Sequence, residues 1–114
     1  MRIKILLLLI ITSALQPVFA LTQEQPVIRS ASELSYPPYS VVSDGQADGF
    51  SVQLLKASLE AVNRDVSFYV DEWATLKTTL AEGQIDVLSV VGVTPERAQL
   101  YDFTFPYLTA YGTF

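Results

Sequence analysis

Arg97 is the residue whose type and position most clearly suggest chemistry. It falls in the first turn of a predicted helix, just after Thr94 and Pro95 and behind a predicted buried strand. A cation at this end of a helix opposes the helix dipole, so an anion is expected to compensate it. A guanidinium and a helix N-terminus together suit a carboxylate or a phosphate. An ordinary ion pair with Glu96 or Asp102 explains Arg97 equally well at this point.

Aromatic and acidic side chains are placed near the same predicted strand ends. Tyr36, Tyr39 and Trp73 could form an aromatic wall there, although core packing is the better explanation for Tyr39. Glu33 is the carboxylate at a strand end near Tyr36, and it could act in acid–base chemistry or be a solvated turn residue. No nucleophile–base pair is found in the sequence, so no catalytic residue is predicted.

The composition excludes several kinds of site. The chain has no Cys and no His, which removes thiolate nucleophiles, Cys zinc sites and the commonest general base. Its formal net charge of −5 argues against nucleic-acid binding, which needs clustered Lys and Arg. The acidic turn over 44–49 is not a calcium loop, because Leu55 stands where a bidentate Glu is required. No metal, cofactor or nucleic-acid partner is therefore predicted.

The first 20 residues are typical of a cleaved export signal. Arg2 and Lys4 precede an apolar run over 5–15, and Val18 and Ala20 supply the −3 and −1 positions of a cleavage site. The run is shorter than the roughly 20 apolar residues that span a membrane, so an uncleaved anchor is the less favoured alternative. We expect cleavage after Ala20 and a periplasmic location for the rest of the chain.

Strands and helices are predicted to alternate along the remaining chain, after a flexible start over 21–26. Short strand candidates cover 27–33 and 40–42. Hydrophobic periodicity gives a helix over 50–63, a strand over 65–70 and a helix over 73–82. A nearly continuous apolar run gives a strand over 85–91 that is buried on both faces, and extended segments over 101–105 and 108–114 follow, separated by Pro106. The segment 43–49 is a turn by composition. Asp48 is the predicted N-cap of the first helix, and Gly83 is the predicted C-cap of the second.

The order of these elements defines the fold class. A β-α-β-α-β order with short connections predicts an α/β fold with a mostly parallel sheet. One half of the first helix is apolar and is expected to face the core. Its residues are Phe50, Leu54, Leu55, Leu59, Ala61 and Val62. Ligands collect at the carboxyl ends of parallel strands, which is where Glu33, Trp73 and Arg97 are placed.

Five short motifs carry a resemblance to a known family. In chain order they are Tyr36-Pro37-Pro38-Tyr39, Asp48-Gly49-Phe50, Gly83-Gln84-Ile85-Asp86-Val87, Thr94-Pro95-Glu96-Arg97 and Asp102-Phe103-Thr104-Phe105-Pro106-Tyr107. Each motif is weak alone, but five in this order and spacing are specific. From about residue 27 to residue 114 the chain resembles the bacterial family 3 solute-binding proteins, which are type II periplasmic binding proteins of polar amino acids.

The resemblance implies two α/β lobes that close over a small ligand. Arg97 would grip the α-carboxylate of the ligand, aided by the hydroxyl and the backbone amide of Thr94. Ser89 and Gly92, at the end of the third main strand, would supply hydroxyl and carbonyl contacts. Residues 27–114 would be the N-terminal part of the solute-binding domain, truncated within a partial first lobe and lacking the second lobe.

The same resemblance gives roles to the aromatic and acidic residues. Tyr36 would line the ligand, Glu33 would meet a ligand side chain, and Trp73 would face the cleft. The expected ligand is a small carboxylate-bearing solute, in the first instance an amino acid. The expected protein partner is the permease of an ABC transporter.

Two other functions occur on this fold. The stretch 91–107 is also similar to periplasmic sensor modules of membrane histidine kinases and diguanylate cyclases, whose partners would be the protein's own downstream signalling domains. A periplasmic dehydratase is a further alternative, but it would need an acid or base in addition to Glu33. The expected function is therefore solute binding for ABC-type transport, without enzymatic activity.

Overall fold

A computed structural model describes residues 24–112, and the predicted export signal and its cleavage site lie outside the described residues. The elements of this part are β1 (Ile28–Glu33), β2 (Val41–Ser43), β3 (Gln46–Asp48), α1 (Phe50–Glu60), β4 (Val66–Asp71), α2 (Trp73–Ala81), β5 (Val87–Leu88) and a 3₁₀ helix (Arg97–Gln99). Neither α1 nor α2 is long and apolar enough to cross a lipid bilayer.

A parallel sheet with the order β4-β1-β5 forms the centre of the fold. The pairing of β1 with β4 is continuous, from Ile28 opposite Val66 to Glu33 opposite Asp71. The pairing of β1 with β5 is also parallel but covers two residue pairs. Parallel neighbours need crossover connections, and α1 and α2 supply them. The predicted α/β class with a mostly parallel sheet is therefore confirmed.

Helix α2 covers one face of this sheet. Leu76, on its buried side, packs with Ala31 of β1 and with Ile85, and all three side chains are buried. The helix ends at Ala81 with Glu82 as its C-cap, one residue before the predicted cap. Gly83 follows with a φ of +70°, and its backbone N–H donates to the carbonyl of Leu80 at 3.0 Å. This αL closure satisfies carbonyl groups that the last helical turn leaves unpaired.

Helix α1 begins within one residue of the predicted N-cap, but Asp48 does not cap it. Its N-cap is Gly49, and the carboxylate of Asp48 accepts hydrogen bonds from the backbone of Gly49 and the side chain of Gln53 instead of capping the helix. The first helical N–H groups donate at 3.0 Å to backbone carbonyls of the preceding turn, Phe50 to Pro38 and Ser51 to Tyr39. The carbonyl groups of this turn therefore pair the first helical N–H groups, which a capping side chain normally does.

The buried side of α1 was also predicted wrongly. Ser51 and Val52 are the buried residues of the helix, whereas Phe50 is 51 % exposed and Val62 is 63 % exposed. Leu54 and Leu55 line an open groove of about 700 Å³ between α1, α2, β5 and residues 100–107. The helical periodicity identified an apolar stripe correctly, but periodicity does not determine which neighbour covers the stripe.

Three further segments differ from the predicted elements. The segment 43–49 contains β3, which pairs antiparallel with β2 around a two-residue turn. The composition of this segment predicted the turn but not the strand. The predicted strand over 85–91 shortens to β5, which pairs with β1 over two residue pairs and whose side chains are half-buried instead of buried on both faces. Residues 101–112 carry no strand or helix, so the two extended segments predicted there pair with no sheet as far as residue 112.

Candidate functional site

The guanidinium of Arg97 is held at the edge of the sheet by two neighbours. Its Nη1 atom donates to the backbone carbonyl of Gly92 at 2.9 Å, and its Cζ atom lies 5.0 Å from the ring centroid of Trp73. The Thr94 hydroxyl accepts the backbone N–H of Arg97 at 3.2 Å and so caps the turn. Three predicted site residues, Thr94, Gly92 and Trp73, therefore each contact the fourth, Arg97.

Neither acid that could have paired with Arg97 does so. The one salt bridge in residues 24–112 joins Arg29 to Asp86, and neither Glu96 nor Asp102 lies within ion-pair distance of the Arg97 guanidinium. Hydrogen bonds from its own backbone N–H and from the Thr94 hydroxyl hold the pKa of Glu96 below its usual value, with a smaller contribution from the Arg97 charge. The simple ion-pair explanation of Arg97 is thus not supported.

The helix that was expected to help Arg97 bind an anion is too short to do so. Arg97 begins a 3₁₀ helix of three residues, and the aligned peptide dipoles of a longer helix are missing. Affinity for an anion at this position therefore rests on the guanidinium and on individual N–H groups, without the macrodipole of a long helix. A guanidinium has five N–H donors in one plane, and among the described residues one of them on Arg97 has an acceptor.

Trp73 also contacts a second cation. It is the first residue of α2, and the Nζ atom of Lys77, one turn further along the helix, lies 5.7 Å from its ring centroid. Both cations lie within the range of cation–π attraction. Lys77 had no place among the predicted site residues, although its i+4 spacing from Trp73 was a usable signal.

Glu33 is the last residue of β1, and Tyr36 lies three residues further along the chain. Among the described residues, neither side chain is hydrogen-bonded to the Arg97 cluster. Glu33 stands opposite Asp71 in the parallel register, so two acidic residues end adjacent strands. A hydrogen bond from the Tyr69 hydroxyl, and then one from the Glu72 backbone, lowers the pKa of Asp71. Tyr36 is 46 % exposed, and its ring lies 5.4 Å from that of Tyr39, so the two aromatics form a pair at the turn.

Ser89 contacts a different part of the chain from Arg97. It is buried, its hydroxyl has no hydrogen-bond partner among the described residues, and its carbonyl accepts the Tyr107 hydroxyl at 2.8 Å. The same Tyr107 oxygen lies 2.9 Å from the hydroxyl of Ser51 in α1. Tyr107 therefore fastens the C-terminal segment across β5 and α1. The sequence offered no signal for this, because the partners are 18 and 56 residues away.

The open groove beside α1 is a separate feature from the Arg97 cluster. Of the seven predicted site residues, Ser89 alone lines it. The groove walls are mostly apolar, with Leu54, Leu88 and Phe103 among them, and they present no unpaired cation to a carboxylate. The Arg97 cluster at the strand ends is therefore the better candidate for a polar ligand.

Known proteins match most of the described chain. The profile of the bacterial extracellular solute-binding proteins, family 3, matches residues 28–114. A probable histidine-binding protein of Neisseria gonorrhoeae is 37 % identical over 83 residues, which are 71 % of this chain and 31 % of that protein. The chain spans about a third of the length of the curated relatives that it matches.

Two solved structures extend the comparison to other activities on the same fold. A histidine kinase sensor domain with similarity to periplasmic binding proteins matches with a TM-score of 0.63 and 28 % identity, covering 66 % of this chain and 33 % of that one. An ancestral cyclohexadienyl dehydratase matches with a TM-score of 0.66 and 32 % identity, covering 72 % of this chain and 35 % of that one.

Proposed function

The chain belongs to the bacterial extracellular solute-binding proteins of family 3, and we propose that it binds a small carboxylate-bearing solute, in the first instance an amino acid, through Arg97. The observation that carries the proposal is a positioned guanidinium without an acidic partner. Arg97 is fixed by Gly92 and Trp73, and no carboxylate of residues 24–112 comes within 4.0 Å of it. A planar carboxylate matches the remaining donors of a guanidinium in a bidentate manner.

The other predicted site residues take supporting roles in this proposal. The Thr94 hydroxyl already accepts from the Arg97 backbone and keeps the turn in shape, so its contribution to the ligand is indirect or through its backbone amide. Tyr36 offers an exposed ring at the neighbouring strand end. Glu33, beside Asp71, offers negative charge to a cationic part of the ligand. Ser89 is the exception, because it lines the separate groove and its hydroxyl is buried, so it takes no part in this proposal.

Replacing Arg97 tests the proposal directly. Calorimetric titration of the purified chain with a panel of amino acids should identify a ligand, and Arg97→Leu should weaken its binding at least tenfold. A charge-assisted hydrogen bond is worth about 1.5–3 kcal/mol, and every 1.4 kcal/mol is about a tenfold change in affinity. Arg64→Leu is the matched control, because Arg64 donates to the Pro26 carbonyl at the opposite end of β1. Unchanged affinity of Arg97→Leu would refute the assignment.

Export and delivery complete the proposed function. The relatives belong to an extracellular family, and the first 20 residues have the pattern of a cleaved signal, so we place the mature chain in the periplasm with an ABC permease as its partner. N-terminal sequencing of exported material should begin at Leu21. Intact Met1 on membrane-bound protein would contradict this placement.

A ligand-sensing role is the second candidate, and the similarity to the histidine kinase sensor domain favours it. The two roles differ in what a deletion strain loses. For a transport protein, loss of the gene abolishes uptake of the labelled ligand. For a sensor module, uptake persists while the transcriptional response to the ligand disappears.

Catalysis is the least favoured use of this site despite the dehydratase neighbour. An arginine is always protonated and does not transfer protons, and its neighbours Thr94, Gly92 and Trp73 include no general acid or base. The ligand recovered after prolonged incubation with the protein should therefore have an unchanged mass.

A further inference from the structure

Resting on the proposed function, we propose that Trp73 is a positioning residue that holds the Arg97 guanidinium in the orientation needed for a carboxylate. In this arrangement the indole acts on the ligand through Arg97 instead of forming a wall against the ligand side chain. The two roles are separable, because a positioning residue affects every carboxylate ligand alike and a wall distinguishes between side chains.

The indole is a fixed support for a neighbouring group. Trp73 begins α2 directly after Glu72, whose backbone is extended, and its side chain packs against the buried cluster of Ala31, Leu76 and Ile85. A ring that is anchored to close-packed core side chains has little freedom to move. The half-buried indole of Trp73 is therefore supported on one side by the hydrophobic core.

The guanidinium of Arg97 is held against this support from two directions. The Cζ atom lies 5.0 Å from the ring centroid, and the carbonyl of Gly92 accepts from Nη1 at 2.9 Å. A guanidinium that lies on an aromatic ring keeps the N–H donors at its edges available in its own plane. Those donors suit bidentate contact with a carboxylate. Arg97 is thereby ordered before the ligand arrives, which reduces the entropy lost on binding.

Lys77 supplies a matched control for this contact. Its Nζ atom lies 5.7 Å from the same ring centroid, so Lys77→Met removes a cation from the indole while leaving Arg97 and its two contacts in place. An effect of Trp73 that depends on Arg97 should be absent in Lys77→Met. An effect that depends on any nearby cation should appear in both Arg97→Leu and Lys77→Met.

The first arm of the test needs no ligand. Protons of the Arg97 side chain should show upfield ring-current shifts in NMR spectra of the intact chain, and these shifts should vanish in Trp73→Leu and persist in Lys77→Met. Trp73 is the only Trp of the chain, so the change in its fluorescence in Arg97→Leu gives a second measurement in a protein that keeps the indole. Arg97 shifts that are the same with and without the indole would overturn the proposal.

The second arm uses L-histidine and L-histidinamide, which differ at the carboxylate. Trp73→Leu should weaken histidine binding about fivefold, which corresponds to about 1 kcal/mol and to a typical cation–π contact. The same substitution should leave histidinamide binding unchanged, and Trp73→Phe should restore most of the loss for histidine. Equal losses for both compounds would show that Trp73 is a wall against the side chain, and the proposal would be wrong.

The two proposals fail in different ways. If histidine binds and Arg97→Leu does not change its affinity, Arg97 does not anchor the ligand carboxylate, whatever the NMR spectra show. If no amino acid binds, the proposed function fails while the ligand-free shifts still decide whether Trp73 orders Arg97.

Discussion

Gly49 provides the sharpest test of how the turn before α1 builds this part of the fold. Its φ is +106° and its ψ is 169°, a backbone region that is open almost exclusively to glycine. A Cβ atom at this position would stand 2.6 Å from the carbonyl oxygen of Tyr39 and 2.8 Å from its carbonyl carbon. That same carbonyl accepts the N–H of Ser51 and caps the helix. Gly49→Ala therefore strains the backbone at this position and also disrupts the hydrogen bond that caps the helix.

The expected cost follows from these two contributions. The backbone conformation costs about 1–3 kcal/mol for a residue with a Cβ atom. Displacing the Tyr39 carbonyl leaves the N–H of the fully buried Ser51 without its acceptor, which costs about 1–3 kcal/mol more. The sum of about 2–6 kcal/mol is a large part of the about 5–15 kcal/mol that stabilises a typical domain.

Urea unfolding followed by Trp73 fluorescence measures this difference. Gly83→Ala is the matched control, because Gly83 also has a positive φ, of +70°, but a Cβ atom there would meet nothing within 4 Å. The control should lose about 1–2 kcal/mol from backbone strain alone. If Gly49→Ala destabilises the chain no more than Gly83→Ala does, the close approach to the Tyr39 carbonyl does not contribute and the reasoning is refuted.

Two further predictions concern contacts that join distant segments. The Arg29 guanidinium, and then the Arg29 backbone N–H, lower the pKa of Asp86 from 3.8 to about 2, so the pair stabilises the fold above pH 3.8 and this contribution is lost as the pH falls through about 2. Asp86→Asn should therefore lower the free energy of unfolding at neutral pH. The difference in unfolding free energy between the variant and the parent chain should shrink in acid and in 1 M salt, and a difference that does not depend on pH would contradict this. Tyr107→Phe should cost about 1–3 kcal/mol, because it leaves the buried hydroxyl of Ser51 unpaired, whereas the exposed Tyr111→Phe should cost nothing measurable by thermal melting.

Local patterns in the sequence were enough to predict most elements of the fold. Alternation of apolar residues located β4, the short strand candidate over 27–33 matches β1, and the spacing of Trp73, Leu76 and Leu80 located α2 and its end to within a residue. These signals come from residues that are close in the sequence, so they can be read without knowing which segments pack together in the fold. The length of β5 and the buried side of α1 were predicted wrongly, because both depend on which segments from elsewhere in the chain pack against them.

The candidate site shows the same difference between contacts that are local in the sequence and contacts that are not. Arg97, Thr94 and Gly92 lie within six residues of each other, and the sequence placed them together. The contact of Arg97 with Trp73 spans 24 positions and comes from the parallel order of the sheet, which brings the start of α2 beside the segment after β5. Sequence reasoning placed both residues at strand ends, but it did not predict that one would rest against the other.

Two arginines of the described chain differ in how their charges are paired. The side chain of Arg29 donates to both carboxylate oxygens of Asp86 and to the carbonyl of Gly83, so it fastens β1 to the segment between α2 and β5. The side chain of Arg97 donates to one carbonyl in the described part of the chain, and its charge meets a ring in place of an acid. A cation that is fully paired adds rigidity, while a cation that is oriented but unpaired keeps its donors for a partner from outside. Within the described residues, Arg97 is oriented by Gly92 and Trp73 and has no acidic partner, whereas Arg29 is paired with Asp86.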